Sequence, residues 1–451
     1  MHCAPWYCAG GLMLVLGGCI HRGQVDDSVP LDDPLPTTQT KVRFDEALAG
    51  FTEHDRRADW EDSTCRSVAS QFESLGRRGA TEHRATSWYN AGLAYQRCRL
   101  HERARDCFEQ AQQVAADSDV SVQSRAEAQL VLYDYEGDHN RERAIRRLEQ
   151  VVRAGRFQNV EALTSLATLE LEQGIAAGGQ GTIDLAHARE NLQRALAIDE
   201  TYMPALNELA LLLLASARTE KGVVSAPPTV VLAGVEAPRL SRQQLDLAAL
   251  VASQGLRKNP RFAPLHNTAG LIQVQQRDYN AAVRSFAKAR ELDPGFVEAH
   301  LNYAAVNLTI RGFSAAEDAY RDALRLRPES YEAQLGLALA LRGQLSLDSP
   351  DQRIGEVLEH LASARKLDPQ RPESYYNEAI LTQDVLARRE LGPNAVALLE
   401  RAYCLYGSFA ARTTPGVHNE ARQRAAERRE ELVDTLRFVS EQEDRSIDCD
   451  G

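Results

Sequence analysis

The chain has 451 residues, 43% of them hydrophobic and 26% charged, with a formal net charge of −12. The acidic balance and the lack of any Lys/Arg-rich run argue against nucleic acid as the main partner, and against attachment to an anionic membrane surface by charge alone. Abundant Leu, Ala, Arg and Glu with only 6% aromatic residues favour helices over strands, in several domains or one long repeat array.

The chain opens with a short apolar core, Leu12 to Leu16, followed by Gly17, Gly18 and Cys19. An apolar run ending in small residues reads as a secretory signal, and it is too short to span a bilayer. The order Leu16-Gly17-Gly18-Cys19 resembles the lipobox of bacterial lipoproteins. The resemblance implies a signal peptide at 1–18, cleavage before Cys19, and lipidation of Cys19, whose several acyl chains make a stable anchor. The segment before the apolar core departs from that pattern, carrying His2 where Lys or Arg is usual. Ile20 stands where the family's inner-membrane retention signal places Asp, so the resemblance implies the outer membrane, with the protein facing the periplasm. The alternative is a buried apolar segment with a chance cysteine. Residues 19–41 are rich in Pro, Asp and Thr and show no apolar period, so they read as a lipidated disordered tether with a reach of roughly 70 Å.

Residues 42–84 hold a weak N-terminal helix pair. In 85–118, Trp88, Gly92 and Tyr95 fall on one helix, and Ala104, Phe108 and Ala111 on the next. Residues 125–158 keep Tyr135, Ala144 and Leu148 in the same register, and diverged copies follow at 160–200 and 203–262. The pattern is clearest in 263–330. Ala282, Phe286 and Ala289 precede Pro294 by the same intervals as Ala316, Tyr320 and Ala323 precede Pro328. Two further copies, at 331–370 and 372–406, lead to a heavily charged helix at 417–442. Small residues let paired helices approach, the aromatic fills the gap toward the next repeat, and proline ends the second helix.

This pattern resembles the tetratricopeptide repeat (TPR), whose period is 34 residues. The resemblance implies an all-α, TPR-type α-solenoid of about eight antiparallel helix pairs with a C-terminal capping helix: an array over 85–406, and a cap and tail over 407–451. Extra residues near 175–183, 218–241, 343–353 and 385–393 fall between the two helices of their repeats. They are either part of a binding face or tolerated loops. The stretch around 218–241 is β-branched enough for a small hairpin.

Five cysteines remain besides Cys19, and an exported protein meets an oxidising compartment. In the array, Cys65 lies early in a second helix and Cys98 near the end of the following first helix, ends that are neighbours. The expected pair is Cys65–Cys98, with Cys107 free and Cys404–Cys449 as a second candidate; the alternative in each case is buried free thiols.

Signatures of catalysis are missing from the sequence. GIAAGGQGT at 174–182 lacks the Lys-Ser/Thr that ends a phosphate loop, no His falls at metal-ligand spacing, and no HExxH or G-x-S-x-G occurs. The expectation is therefore a non-enzymatic adaptor, with no cofactor, no metal and no small-molecule substrate. In TPR arrays the first helices line the inner face. That places Tyr89, Leu93, Arg97, Asn267, Leu271, Val274, Leu301, Ala305, Leu308, Tyr376, Ile380 and Gln383 along a mixed, mildly apolar groove for an extended or helical partner segment. Lys is missing from these positions, so the carboxylate clamp of chaperone-binding TPR proteins is not expected. Resemblance to TPR lipoproteins implies envelope proteins as partners, in gliding motility, pilus or secretin assembly, or regulation of peptidoglycan enzymes. The rival readings are an all-α-barrel enzyme and a cytosolic TPR protein.

Overall fold

The computed structural model describes residues 34–57, 59–115, 119–177, 185–219, 241–413, 418–440, 447 and 449. The expected signal, Cys19, the Gly-rich stretch from 178 onward and the anticipated hairpin lie outside the described residues. The described residues are helical, with no strand among them. The chain divides into two compact units, Met1–Ala115 and Ala116–Gly451.

The first unit contains α1 (Thr37–Arg57), α2 (Asp62–Arg78), α3 (Thr81–Arg97) and α4 (His101–Ala115). Helix α1 starts inside the stretch expected to be tether. The cause is a tertiary contact that Pro-rich composition hides: Thr40 is fully buried, and its hydroxyl accepts from the Ala80 amide at the α2–α3 corner. Phe72, Tyr89 and Phe108 form the interior. Gly92 lets α3 settle on Phe108, since a Cβ there would lie 2.6 Å from the ring. A disulfide joins Cys65 to Cys98, tying the start of α2 to the end of α3 with the Cα atoms 6.3 Å apart.

The second unit stacks pairs of a first (A) and a second (B) helix: α5 (Val120–Asp138) with α6 (Arg141–Ala154), α7 (Val160–Ala177) with α8 (Ala186–Ile198), and α9 (Met203–Thr219) with α10 (Arg242–Lys258). These are followed by α11 (Ala263–Gln275) with α12 (Tyr279–Leu292), α13 (Val297–Thr309) with α14 (Phe313–Leu326), and α15 (Tyr331–Arg342) with α16 (Asp351–Leu367). The last A helix is α17 (Glu373–Leu381), a π-helical turn Thr382–Leu386 and α18 (Ala387–Arg389); it pairs with α19 (Gly392–Arg412), and α20 (Asn419–Ser440) follows. Together the two units hold nine pairs among the described residues, where the repeats suggested about eight.

The same local devices recur. At the A-to-B corner Arg99, His139, Arg277 and Arg311 all have φ between +52° and +63°, so a left-handed residue turns the chain without glycine. Asn140 and Asp278 then cap the B helix, each side-chain oxygen accepting the amide three residues on. At the B-to-A corner Asp199, Asn259, Asp293 and Asp368 each accept the backbone amide two residues on, closing a short turn.

Inside the pairs the register holds. Ala282, Phe286, Ala289, Ala316, Tyr320 and Ala323 are all at most 1% exposed. Phe286 packs against Gly270 of its own pair, whereas the Tyr320 ring reaches across to Gly336 of the next A helix. Each A helix from α5 to α17 touches the next A helix, while successive B helices make no comparable backbone packing. The A-helix side is therefore the inner side of the stack. The B helices are bridged instead by long ion pairs: Arg290–Asp322 at 3.0 Å, Arg321–Glu356 at 2.6 Å and Arg353–Glu317 at 2.6 Å. Glu317 is 7% exposed and also accepts from Arg321 and Gln344, which hold its carboxyl below the usual range despite burial. Of the expected insertions, 343–353 is a short turn leading into α16, and 385–393 is the end of the π-turned A helix, a two-residue break at 390–391 and the start of α19. Helix α20 packs on α19 through Ala425 and Leu432, and a disulfide from Cys404 to Cys449 returns the tail to α19, with the Cα atoms 5.4 Å apart.

Candidate functional site

The candidate face of the second unit lies on the A-helix side, where partly buried apolar side chains rest on the helix-pair cores: Leu271 and Val274 on the Phe286 cluster, and Tyr376 against Tyr406 and Phe409. Leu271, Val274, Ala305, Leu308, Leu339, Tyr376 and Ile380 are half-buried there, forming an apolar strip on consecutive A helices. Half-burial matters, because such side chains are held by the stack yet keep apolar surface for something else to cover.

Other expected groove residues do a different job. Asn267 is 8% exposed; its Oδ1 accepts from Asn302 Nδ2 at 2.9 Å, and Thr268 donates to Asn207 Oδ1 at 2.7 Å. These polar side chains stitch neighbouring A helices together. Leu301 is 9% exposed and belongs to the core. In the first unit Tyr89 is 1% exposed with its ring on Phe108, so it fills the interior and does not face a groove. Leu93 is half-buried. Arg97 makes a two-pronged pair with Asp55, at 2.7 and 2.9 Å, and lies over the Phe51 ring. Gln383 accepts from Tyr406 and from Arg428, both at 3.0 Å.

That last contact belongs to a polar group not foreseen from the sequence. Arg342 ends α15 and donates to Asn377 Oδ1 at 2.7 Å, while Arg428 of α20 reaches back to Asp384 at 3.0 Å. The π-helical turn carries Gln383 and Asp384 toward α20. The partners are separated by 35 to 45 residues, so no local motif announces them.

The buried titratable groups look structural. Cys107 is buried, and desolvation with Glu73 nearby pushes its thiol up to about 12. Burial lowers His300 and His360, keeping both neutral near pH 7. Burial raises Glu170 and Glu208. Among the described residues no group of His, Cys, Asp and Glu is arranged to hold a metal, and no helix is long and apolar enough to cross a membrane.

Residues 85–118 match the tetratricopeptide-repeat family model. The matched stretch covers most of α3 and all of α4, and α12 and α14 of the second unit repeat the same small-aromatic-small register. Among solved structures, the chain is similar to a thermophilic TPR protein of Thermus thermophilus, at 22% identity over 49% of this chain and 99% of that one, with a TM-score of 0.39. It is also similar to PilF of Pseudomonas aeruginosa, at 18% identity over 59% of this chain and 97% of that one, TM-score 0.39. A third likeness is to a TPR protein of Parabacteroides merdae, at 17% identity over 69% of this chain and 99% of that one, TM-score 0.38. No curated protein sequence matches. The TPR reading rests on the matched repeat and on the helix pairs themselves.

Proposed function

We propose that this chain is a non-enzymatic adaptor, tethered by lipid on Cys19 to the bacterial outer membrane and binding envelope proteins along the inner face of its second unit. The TPR architecture is that of a protein-interaction scaffold. The observation that carries the reading is the strip of half-buried apolar side chains on consecutive A helices, which suits an extended or helical segment of a partner. Assembly of a pilus, secretin or gliding-motility machine is the setting that the lipoprotein resemblance favours.

A photo-crosslinking amino acid placed at Ala305 on the strip, or at exposed Arg284 on the outer B side, tests the face in cells. Adducts with envelope proteins from Ala305 and none from Arg284 are expected. Adducts from Arg284 alone, or none from Ala305, would end the reading. Intact-mass analysis of the membrane fraction tests the tether: an acylated peptide starting at Cys19 is expected, lost in Cys19→Ala together with membrane association.

A further inference from the structure

Arg342 differs from the other half-buried arginines around it. Arg321, Arg353, Arg365, Arg371 and Arg428 each pair with a carboxylate. Arg342 has one hydrogen bond, to Asn377 Oδ1, and no carboxylate within ion-pair distance among the described residues. Asp384, the acidic group in its surroundings, is held by Arg428 through both oxygens, at 3.0 and 3.1 Å. Asn377 is itself oriented, its Nδ2 donating to the Glu373 carbonyl at 2.7 Å, so it holds the guanidinium in place without neutralising it.

A charge drawn partly out of water without a counter-ion is costly, and a two-pronged carboxylate removes that cost. The electrostatics agree. Burial pushes the Arg342 guanidinium down, whereas Arg321, Arg371 and Arg428 are raised by their carboxylates. Arg342 also sits within the apolar strip: Leu339 lies one turn earlier, Leu308 is on the preceding A helix, and Tyr376 and Ile380 are on the next.

We propose that Arg342 is the anchor for an acidic side chain, Glu or Asp, within an apolar partner segment laid along the A-helix face. This rests on the adaptor reading for its partner segment. A side-chain carboxylate fits better than a chain terminus, because the strip continues on both sides of Arg342 and a terminus would leave one side uncovered. It fits better than a phosphate, because one guanidinium balances the single charge of a carboxylate and would leave the second phosphate charge uncompensated beside apolar side chains.

The test uses the full chain and blocked peptides, acetylated and amidated, of Leu, Ala and Ser with a central Glu, its Gln isostere or phosphoserine, read by fluorescence anisotropy. The Glu peptide is expected to bind about ten-fold tighter than the Gln peptide, as a charge-assisted hydrogen bond supplies. Arg342→Gln should erase that preference without lowering the unfolding midpoint, whereas Arg353→Gln should lower it. A Glu preference that persists in Arg342→Gln overturns the proposal, as does tighter binding of phosphoserine. An independent arm follows the Arg342 Nε–H resonance during titration with acetate against chloride at equal ionic strength. A shift with acetate alone supports the carboxylate site even if neither peptide binds, in which case the adaptor reading of the face fails and the site stands. If no Glu preference appears and acetate moves nothing, the site is refuted.

Discussion

The fit between Tyr320 and Gly336 supports a prediction in which one chemical change has opposite effects at two nearby positions. An alanine Cβ at 336 would lie 2.2 Å from Tyr320 Cζ, 2.4 Å from Cε1 and 2.6 Å from Cε2, where ordinary contact begins near 3.4 Å. The ring has no exposed edge to swing toward, being 0% exposed. Helix α15 must therefore move by about an ångström, placing the cost near the upper end of overpacking, about 3 kcal/mol. Replacing glycine in a helix interior returns about 1 kcal/mol, leaving a net loss of roughly 2 kcal/mol. Gly355, on the exposed side of α16 in the same pair, has nothing within 4 Å of an added Cβ. Gly355→Ala should therefore raise stability by about 0.5–1 kcal/mol. Guanidinium unfolding followed by far-ultraviolet circular dichroism compares the two variants directly. If Gly336→Ala unfolds at or above the wild-type midpoint, or if both variants shift alike, the packing argument is wrong.

Glu317→Ala should cost about 2 kcal/mol, less than a fully buried pair, because Arg321 and Arg353 remain 39% and 33% exposed and keep Glu356. The Glu317 carboxyl is lowered in the fold from 4.5, so its contribution is present above pH 4.5 and is lost as pH falls through the lower folded value; Glu317→Gln should flatten that part of an acid-unfolding profile. Glu208 is raised from the same reference by burial, so the folded state binds the extra proton and stability falls as pH rises through that window. Glu208→Gln should accordingly be more stable than wild type at pH 7, with the gain vanishing below about pH 4.5 in thermal melts. Removing the Cys65–Cys98 bond with Cys65→Ser should destabilise the first unit by roughly 3–4 kcal/mol on loop entropy, and non-reducing peptide mapping that finds Cys98 joined to Cys107 would contradict the pairing. With its thiol pushed up to about 12, Cys107 should resist iodoacetamide at pH 8 in the native protein and react once unfolded, as mass spectrometry can show.

The sequence disclosed those parts of the fold in which a residue type is demanded by its position. Alanine at 282, 289, 316 and 323 is what a close helix crossing requires, and the aromatics at 108, 286 and 320 fill the space those alanines leave. Tyr89 shows the limit of that reading. Its repeat position points to the inner face, but whether a tyrosine looks outward or inward depends on its neighbours, and Phe108 draws it into the interior. The start of α1 was hidden because one buried hydroxyl, Thr40, outweighs the composition around it. Helix corners made by Arg99, His139, Arg277 and Arg311 carry no glycine signal. Arg342 was invisible for the opposite reason: what sets it apart is a counter-ion that its neighbours have and it lacks, and such a relation exists only between repeats.

The outer B helices are joined by long, partly exposed side chains, whereas the inner A helices are packed in continuous contact. Mechanically, the second unit is a strip hinged along one edge, with springs of arginine and carboxylate across the other. Springs of that kind weaken as salt rises, over a Debye length of about 8 Å at physiological ionic strength. Curvature should then be a soft, salt-tuned coordinate. A thicker occupant on the inner face would be admitted by stretching the outer edge, with every repeat still folded.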